Sequence, residues 1–450
     1  MNVQLKAIPH CVLVYGMGVT GRSALATLLP LGTAIALYVD GGLAPDDRAF
    51  VERCDEREQV TLLDALPTSY DAYDFVLRAS GISVEKPLVK AARAAGKTVM
   101  TDLELAYLLF GGDRMIAITG SNGKTTVTSL LEHVLNEAGL AATACGNIGR
   151  PLLTTMAEGP DDGYYIVECS SFQLEGVTRF APHRAALLNL SPDHLEWHGS
   201  FDAYADAKAH IAHAQGAEDL FWIHPADSAI EEALERVPTR AMVRRVSFDA
   251  PLLDALRKGE GWALFGEHNI ENAAFVLEIA REMGIEEGSI RNAFASFRPI
   301  AHRMENVGEV DGVVFINDSK GTNVDATARA LRGITQPVIL IAGGYDKHVS
   351  FDDLYEAFRP VGKTMILMGE TAETIAAGAR EQGLGERIVV CHNLKEAFQE
   401  AVKRAAPGDM VLLSPASASW DQYSHFEERG DEFRERVAQW RETREMERHS

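Results

Sequence analysis

A short glycine-rich stretch has the residue types of a phosphate-binding loop. It spans 119–126 and reads TGSNGKTT, after an apolar run and before a helical pattern over 127–137. Backbone N–H groups of such a loop can surround phosphate oxygens, while a lysine neutralises the β- and γ-phosphates and a threonine hydroxyl binds Mg²⁺. The spacing departs from the usual Walker A motif because only two residues separate the glycines. We predict an ATP site formed by Gly120, Ser121, Asn122, Gly123, Lys124, Thr125 and Thr126.

A carboxylate and an imidazole follow later apolar runs of the same series. Glu168 closes one run, and His194 ends the loop 189–194 that closes the next. Because ligands bind beyond the carboxyl ends of parallel strands, we expect both side chains to meet the ATP site and to suit Mg²⁺ or water-mediated metal binding. A predicted helix over 202–213 carries Lys208, whose spacing alone is that of an ordinary surface lysine.

A second glycine loop, GMGVTG at 16–21, follows the first apolar run of the chain, and Asp40 ends the next run. Glycines in this layout allow a tight turn and the close approach of a diphosphate to a helix N-terminus. The pattern indicates either a nucleotide diphosphate site or a tight turn without a ligand. It does not say which nucleotide would bind.

Short apolar runs alternate with helical patterns along the chain, which is typical of parallel α/β architecture. The runs form three series, and we place domain boundaries near Thr101 and Met304. From Asp431 onward the pattern predicts a solvated amphipathic helix. Strands are predicted at 11–15, 35–39, 75–77, 115–119, 165–168, 185–190, 220–223, 313–317, 338–342, 364–367, 388–390 and 410–413.

Composition excludes several classes of protein. The 450 residues suggest about three domains. Asp and Glu number 65 against 43 Lys and Arg, and the formal charge of −22 disfavours nucleic acid and anionic membranes as partners. No apolar run approaches the ~20 residues of a membrane span, so we expect no membrane insertion. With no signal-peptide pattern and five scattered cysteines, we expect a cytoplasmic protein with reduced thiols.

Six strings, in this order, resemble the Mur ligases: TGSNGKTT, VECSSFQLE, NLSPDH, GEHNIEN, HRME and NDSKGTN. The SSFQLE part and the later string SPASASWDQY are similar to the branch of that family that adds D-glutamate to UDP-N-acetylmuramoyl-L-alanine. The resemblance implies an ATP-dependent, ADP-forming amide ligase that works through an acyl phosphate in peptidoglycan precursor synthesis, and so serves cell-wall biogenesis, cell shape and division. Nothing demands more than a monomer.

The resemblance also implies a fold of three α/β domains. A Rossmann-like domain over 1–101 would bind the UDP sugar nucleotide. A central P-loop ATPase-type domain with a parallel sheet, 102–304, would bind ATP. A C-terminal Rossmann-like domain, 305–450, would bind the amino acid.

Site residues are carried over from the family by position. For the uridine nucleotide they are Val19, Thr20, Asp40, Gly81 and Asn147. Around ATP, beyond the loop, they are Asn269, Asn272, Arg303 and Asp318. For D-glutamate they are Thr322, Lys347, Ser419 and Phe426. The implied ligands of two Mg²⁺ ions are Thr125, Glu168, His194 and a carbamylated Lys208. The implied catalytic set is Lys124, Glu168, His194, Lys208, Arg303 and Lys347.

Three features depart from the family pattern, and three alternatives compete with it. The departures are Gly41-Gly42 after Asp40, Ala79-Ser80 before Gly81, and Trp420 beside Ser419. A folylpolyglutamate synthase-like ligase should lack the SSFQLE string and a full uridine domain. A nicotinamide-dependent dehydrogenase would rest on the first glycine loop alone. A non-catalytic, ATP-regulated binding module would not need the metal-binding set.

Overall fold

A computed structural model describes residues 8–55, 57–160, 162–258, 267–298, 301–346 and 349–449. The strands of these residues form three sheets. The chain divides into two compact units. Unit 1 comprises Met1–Ala250 and Asn272–Phe294, and unit 2 comprises Pro251–Glu271 and Ala295–Ser450.

The first sheet of unit 1 has the order β3-β2-β1-β4-β5, and all its pairings are parallel. Its central strands form because they are apolar on both faces and are buried on both faces, as parallel sheets require. The strands are β1 Cys11–Tyr15, β2 Ala34–Tyr38, β3 Val60–Leu63, β4 Phe75–Arg78 and β5 Val99–Met100. The helices are α1 Gly18–Leu28, α2 Pro45–Cys54, α3 Pro87–Ala94 and α4 Asp102–Phe110.

The second sheet of unit 1 has the order β11-β10-β9-β6-β8-β7 and is also parallel. Strand β6 is buried throughout and lies between β9 and β8. Strands that follow it in the chain lie on both of its sides, so the strand order reverses at β6. A crevice beyond the carboxyl end of such a strand is where open α/β sheets bind ligands. The strands are β6 Met115–Thr119, β7 Ala142–Gly146, β8 Tyr164–Glu168, β9 Arg184–Leu187, β10 Leu220–Ile223 and β11 Met242–Arg245. The helices in this part of the chain are α5 Lys124–Glu137, α6 Leu152–Glu158, α7 Ser171–Leu174, α8 Leu195–His198, α9 Phe201–Ala209 and α10 Ser228–Arg236. Three helices follow along the chain: α11 Pro251–Arg257, α12 Glu267–Glu282 and α13 Glu287–Ser296.

The sheet of unit 2 has the order β12-β13-β17-β14-β15-β16. Edge strand β12 is antiparallel to β13, and the other pairings are parallel. The strands are β12 Glu305–Val310, β13 Val313–Asn317, β14 Val338–Ala342, β15 Gly362–Leu367, β16 Ile388–Val390 and β17 Met410–Leu413. The helices are α14 Val324–Arg332, α15 Asp352–Val361, α16 Ala372–Glu381, α17 Leu394–Arg404 and α18 Phe426–His449.

The α/β class and its parallel sheets are confirmed, with local corrections. Strand β9 ends at Leu187 and not at residue 190, since the following residues form a loop. The prediction of a solvated C-terminal helix from Asp431 is wrong in part, because α18 begins at Phe426 and buries Phe433 and Val437. All five cysteines lie in described residues and are free thiols. Among the described helices, none has the length and hydropathy to cross a bilayer.

Candidate active site

The phosphate loop connects β6 to α5 and is held by the loop that follows β9. The backbone N–H of Asn122 donates to Asn189 Oδ1 at 2.9 Å, and Asn189 Nδ2 donates back to the Asn122 carbonyl at 3.2 Å. The backbone N–H of Ser121 donates to the Asn189 carbonyl at 2.9 Å. The segment NLSPDH therefore holds the phosphate loop in place through the hydrogen bonds of Asn189.

Gly123 lies where a side chain could not. Its φ of +84° is left-handed, and a Cβ at this position would overlap Oδ1 of Asn272 on α12. Both the backbone conformation and the close approach require glycine. The structure thus places Asn272, which the resemblance assigns to the surroundings of ATP, beside the phosphate loop. Asn269 of α12 is also buried.

Two ammonium groups converge on one oxygen of this loop. Lys124 Nζ donates to the carbonyls of Gly120 at 2.8 Å and Ser121 at 2.9 Å, and Lys208 Nζ donates to the same Gly120 carbonyl at 2.8 Å. The residue Lys208 is only 2 % exposed, so its description as a surface lysine is wrong. Burial, and then the charge of Lys124, holds the pKa of Lys208 well below its usual range. Burial and the charge of Lys124 therefore favour the neutral form of Lys208.

A hydroxyl and a carboxylate adjoin the two lysines. Thr125 Oγ1 donates to Glu168 Oε2 at 2.8 Å, and Asn147 Nδ2 donates to Glu168 Oε1 at 2.9 Å. Asn147, a residue predicted for the nucleotide sugar, therefore contacts one predicted metal ligand, Glu168, which also accepts from Thr125. This contact arises because β7 and β8 are paired and both end here.

His194 lies beside α7. It adopts a left-handed φ of +52° at the start of α8, and its ring centroid lies 4.8 Å from that of Phe172. Trp197 and His198 pack on the same phenyl ring, at 4.8 and 5.7 Å between centroids. Helix α7 therefore positions α8 and, with it, the imidazole of His194.

The SSFQLE string forms α7 and ties it to α4. Ser170 and Gln173 form a capping box, which satisfies the first backbone donors of this short helix. Thr101 Oγ1 donates to the Gln173 carbonyl at 3.0 Å, and Gln173 Nε2 donates to Asp102 Oδ2 at 3.3 Å. The helix is thus held on the element that follows the first sheet.

The first glycine loop makes the predicted tight turn. Gly16 has a φ of +94°, and a Cβ on Gly21 would overlap the Gly16 carbonyl oxygen. Helix α1 begins inside the motif, at Gly18, so its first turn carries both Val19, which is exposed, and Thr20, which is buried.

Asp40 lies at the carboxyl end of the same sheet. Its Oδ2 accepts from the Tyr15 hydroxyl at 2.7 Å and from Lys86 Nζ at 3.1 Å. The Tyr15 hydrogen bond is the main reason that the pKa of Asp40 is lowered. Gly41 and Gly42, which depart from the family pattern, have φ values of +79° and +86°, a left-handed pair that larger residues would resist. Gly81 is exposed in the loop after β4.

In unit 2, Asp318 lies at the centre of a buried polar group. It accepts from Ser414 Oγ at 2.7 Å and from the backbone N–H of Met304 at 3.2 Å. Burial raises the pKa of Asp318 to about 6, while the charge of Arg303 acts in the opposite direction. His302 and Met304 flank Arg303, and both have left-handed φ values.

Thr322, Ser419 and Phe426, the described residues predicted for the amino acid, lie on neighbouring segments of unit 2. The Phe426 carbonyl accepts from Ser319 Oγ at 2.7 Å, and the Ser419 carbonyl accepts from the Tyr423 N–H at 2.9 Å. Thr322 N–H donates to the Lys320 carbonyl at 2.8 Å. Trp420 is 62 % exposed, and its ring packs against Tyr345 at 5.5 Å between centroids. Lys347 lies outside the described residues.

Comparison with known proteins identifies the family. The Mur ligase middle domain matches residues 118–258, and the family described as Mur ligase, glutamate ligase domain, matches 302–417. The UDP-N-acetylmuramoylalanine–D-glutamate ligase of Caldanaerobacter subterraneus subsp. tengcongensis is 36 % identical over 441 residues, covering 95 % of this chain and 97 % of that protein. This chain belongs to the Mur ligase family.

Two further proteins are similar to this Mur ligase. The enzyme of the same description from Streptococcus uberis is 36 % identical over 444 residues, covering 95 % of this chain and 96 % of its own. The crystal structure of MurF ligase from Thermotoga maritima in complex with ADP matches with a TM-score of 0.58 at 14 % identity, over 97 % of each chain. At that identity the match supports the three-domain fold and nothing finer.

The donor set of this Mur ligase fits Mg²⁺ at one place. Thr125 and Glu168 supply hydroxyl and carboxylate oxygens, the hard donors that Mg²⁺ prefers, 2.8 Å apart. Across the described ranges, no three or more His, Cys, Asp or Glu side chains are grouped to hold a metal ion. An unmodified Lys208 ammonium cannot act as a ligand of Mg²⁺, because both groups are positively charged. Thr125 and Glu168 are therefore the predicted ligands that the structure brings together.

Sequence reasoning missed Arg78, the last residue of β4. It is 1 % exposed and donates from Nη1 to the Ile82 carbonyl at 2.7 Å. Its Nη2 donates to the carbonyls of Phe172, at 3.2 Å, and Glu175. Arg78 thus joins the loop that contains Gly81 to α7. The available signal was an arginine ending an otherwise apolar strand.

Proposed function

We propose that this Mur ligase joins D-glutamate to the L-alanyl carboxylate of UDP-N-acetylmuramoyl-L-alanine and converts ATP to ADP and phosphate. The names of relatives at about a third identity over nearly the whole chain support the substrates. The observation that carries the chemistry is the meeting of Lys124 and Lys208 at one loop carbonyl, next to Thr125 and Glu168. Lys124 suits the charge of a transferring phosphoryl group, and Thr125 with Glu168 suits a Mg²⁺ ion beside it.

The reaction follows from the poor reactivity of a carboxylate. A carboxylate oxygen of the nucleotide substrate attacks the γ-phosphorus in line, an O–P bond forms, and the bond to ADP breaks. Lys124 and the loop N–H groups stabilise the charge that develops on the phosphoryl oxygens. The amine of D-glutamate then attacks the acyl phosphate, a C–N bond forms, phosphate leaves, and the nitrogen gives up a proton.

Thr125 and Glu168 would hold one Mg²⁺, and His194 with a carbamylated Lys208 would hold a second. The bound ions supply positive charge that offsets the charge of the phosphates. Carbamylation needs a neutral amine to attack CO₂. The burial of Lys208, and the second ammonium at the same carbonyl, favour that neutral form. The carbamate would replace a repulsion from Lys124 with an attraction.

The remaining assignments belong to the same proposal. Residues 1–101 would bind the uridine nucleotide, 102–304 ATP and 305–450 the amino acid. We infer a cytoplasmic monomer. The nucleotide-sugar contacts would come from Val19, Thr20, Asp40, Gly81 and Asn147. The D-glutamate contacts would come from Thr322, Lys347, Ser419 and Phe426.

Release of ADP from purified protein tests this function. With ATP, Mg²⁺ and UDP-N-acetylmuramoyl-L-alanine present, we expect turnover on addition of D-glutamate and none with L-glutamate or L-lysine. Turnover with either L-amino acid in place of D-glutamate would refute the substrate. A Lys124→Ala variant should lose turnover, while Lys90→Ala, which changes an exposed lysine of α3, should keep it.

A Lys208→Ala variant tests the carbamate. We expect loss of turnover, with partial recovery when small carboxylates such as formate are added, because they can replace the carbamate. A ¹³C NMR carbamate signal should appear with ¹³C-bicarbonate in the unchanged protein and be missing in the variant. Full activity in the variant, or a signal that survives the substitution, would remove Lys208 from this role.

A further inference from the structure

Arg429 is a buried cation with unusual partners. It lies on α18, one turn after Phe426, and is 1 % exposed. In the described part of unit 2 its hydrogen bonds go to a serine hydroxyl and to backbone carbonyls. Burial lowers the pKa of Arg429 to about 10, so the guanidinium keeps its charge at neutral pH.

The guanidinium joins three segments of unit 2. Nε donates to Ser319 Oγ at 3.0 Å and Nη2 to the Ser319 carbonyl at 2.8 Å, in the turn after β13. Nη1 also lies 3.4 Å from the Ala418 carbonyl, and Nη2 3.4 Å from that of Ser417, in the segment after β17. The third segment is α18 itself, whose first carbonyl, of Phe426, accepts from Ser319 Oγ.

A fourth segment is packed on the same group. A Cβ on Gly344 would overlap the Ala418 carbonyl and lie 3.2 Å from Arg429 Nη1, so glycine permits the close approach. Tyr345 N–H donates to the Ala418 carbonyl at 2.9 Å. Each of the four segments leads within a few residues to a position proposed for D-glutamate.

The carbonyl and hydroxyl oxygens that accept from Arg429 orient the guanidinium without cancelling its charge, while the charges of Asp421 and Asp318 act on it through space. A buried cation in a medium of low dielectric keeps a strong field, and an amino acid with a side-chain carboxylate brings one more negative charge than alanine does. We propose that Arg429 is a positioning residue of the amino-acid pocket. Its fork fixes Ser419 and Phe426, and its charge favours a substrate with a side-chain carboxylate. The idea rests on the proposed function.

The test compares Arg429→Met, Arg429→Lys and Arg436→Met. Methionine keeps much of the length of the arginine side chain but removes its charge. Lysine keeps the charge but lacks the forked N–H groups of the guanidinium. Arg436, on the same helix, is ion-paired with Glu432 and serves as the matched control. For Arg429→Met we expect the KM for D-glutamate to rise about tenfold or more, the loss of about one charged hydrogen bond, with the KM for ATP unchanged. The D-glutamate KM of Arg429→Lys should lie between those of Arg429→Met and the unchanged protein, and that of Arg436→Met should equal that of the unchanged protein.

Equal rises in both KM values, or no rise for D-glutamate, would overturn the proposal. If Arg429→Met does not fold, Ser319→Ala removes the Nε contact and the hydrogen bond to the Phe426 carbonyl, keeps the Nη2 contact with the Ser319 carbonyl, and should raise the D-glutamate KM by a smaller factor. Failure of the proposed function is separate, because it shows in the unchanged protein as turnover with another amino acid. The KM for that amino acid then decides the role of Arg429.

Discussion

Replacement of Arg78 by methionine removes the contact between the loop after β4 and α7. The side chain of Arg78 is fully buried and its guanidinium donates to three carbonyls, those of Ile82, Phe172 and Glu175. The Glu175 carboxylate lies 3.7 Å from Nη2. Methionine fills much of the volume but offers no donor, so three buried acceptors lose their partner.

The magnitude follows from two opposing terms. Three hydrogen bonds from a charged donor are worth about 1.5–3 kcal/mol each, or roughly 4–9 kcal/mol together. Removing a buried guanidinium recovers a desolvation penalty of several kcal/mol, so a net loss of about 3 kcal/mol remains, at the lower end of the range for a broken buried ion pair. Because the Ile82 carbonyl and Gly81 share one loop, the KM for the nucleotide sugar should rise as well.

Urea unfolding measures the first effect and ADP release at varied nucleotide sugar measures the second. Arg48→Met, at an exposed position on α2, is the matched control and should change the free energy of unfolding by less than about 0.5 kcal/mol. If Arg78→Met cost no more than the control, the three contacts would have no energetic weight. If stability fell while the nucleotide-sugar KM stayed constant, the link to the Gly81 loop would be wrong.

Two further substitutions test local features of unit 1. Gly123→Ala should lower the free energy of unfolding by about 1–2 kcal/mol, because the φ at this position is left-handed. It should also raise the KM for ATP, because the added Cβ displaces Asn272. The control Gly139→Ala, at a φ of +80° in open space, should show the loss of stability without the change in KM. Equal ATP KM values for the two variants would contradict the overlap. Burial, then His194 and Lys208, lowers the pKa of His198 from 6.5 to about 4, so the unfolded chain binds the proton more readily and stability should fall as the pH drops from 6.5 towards 4. Urea midpoints of His198→Gln at pH 7 and pH 5 should show a smaller fall than those of the unchanged protein, and an equal fall would exclude His198 as the source.

Sequence reasoning succeeded where one local rule decides the structure. Strands β1 and β6 have the predicted limits because each is a short apolar run that ends in a glycine loop. Strand β7, ATACG, was missed because its residues are small and only partly buried. The errors at Lys208 and Arg78 have another cause. A buried basic side chain is identified by the carbonyls around it, and those come from segments distant in sequence.

Cations held on backbone carbonyls also explain how an acidic chain can bind the anions proposed for it. A net charge of −22 repels anions at long range, but salt screens exposed charges within about 8–10 Å. Lys124 and Arg429 are held on carbonyl oxygens, which fix their position and leave their charge in place. Exposed carboxylates can pair directly with surface lysines, whereas Lys124 and Arg429 donate to carbonyl oxygens of the backbone. Local attraction at the phosphate loop and at the amino-acid pocket therefore does not depend on the sign of the whole molecule, and raising the ionic strength should weaken substrate binding less than it would for a site built from surface lysines.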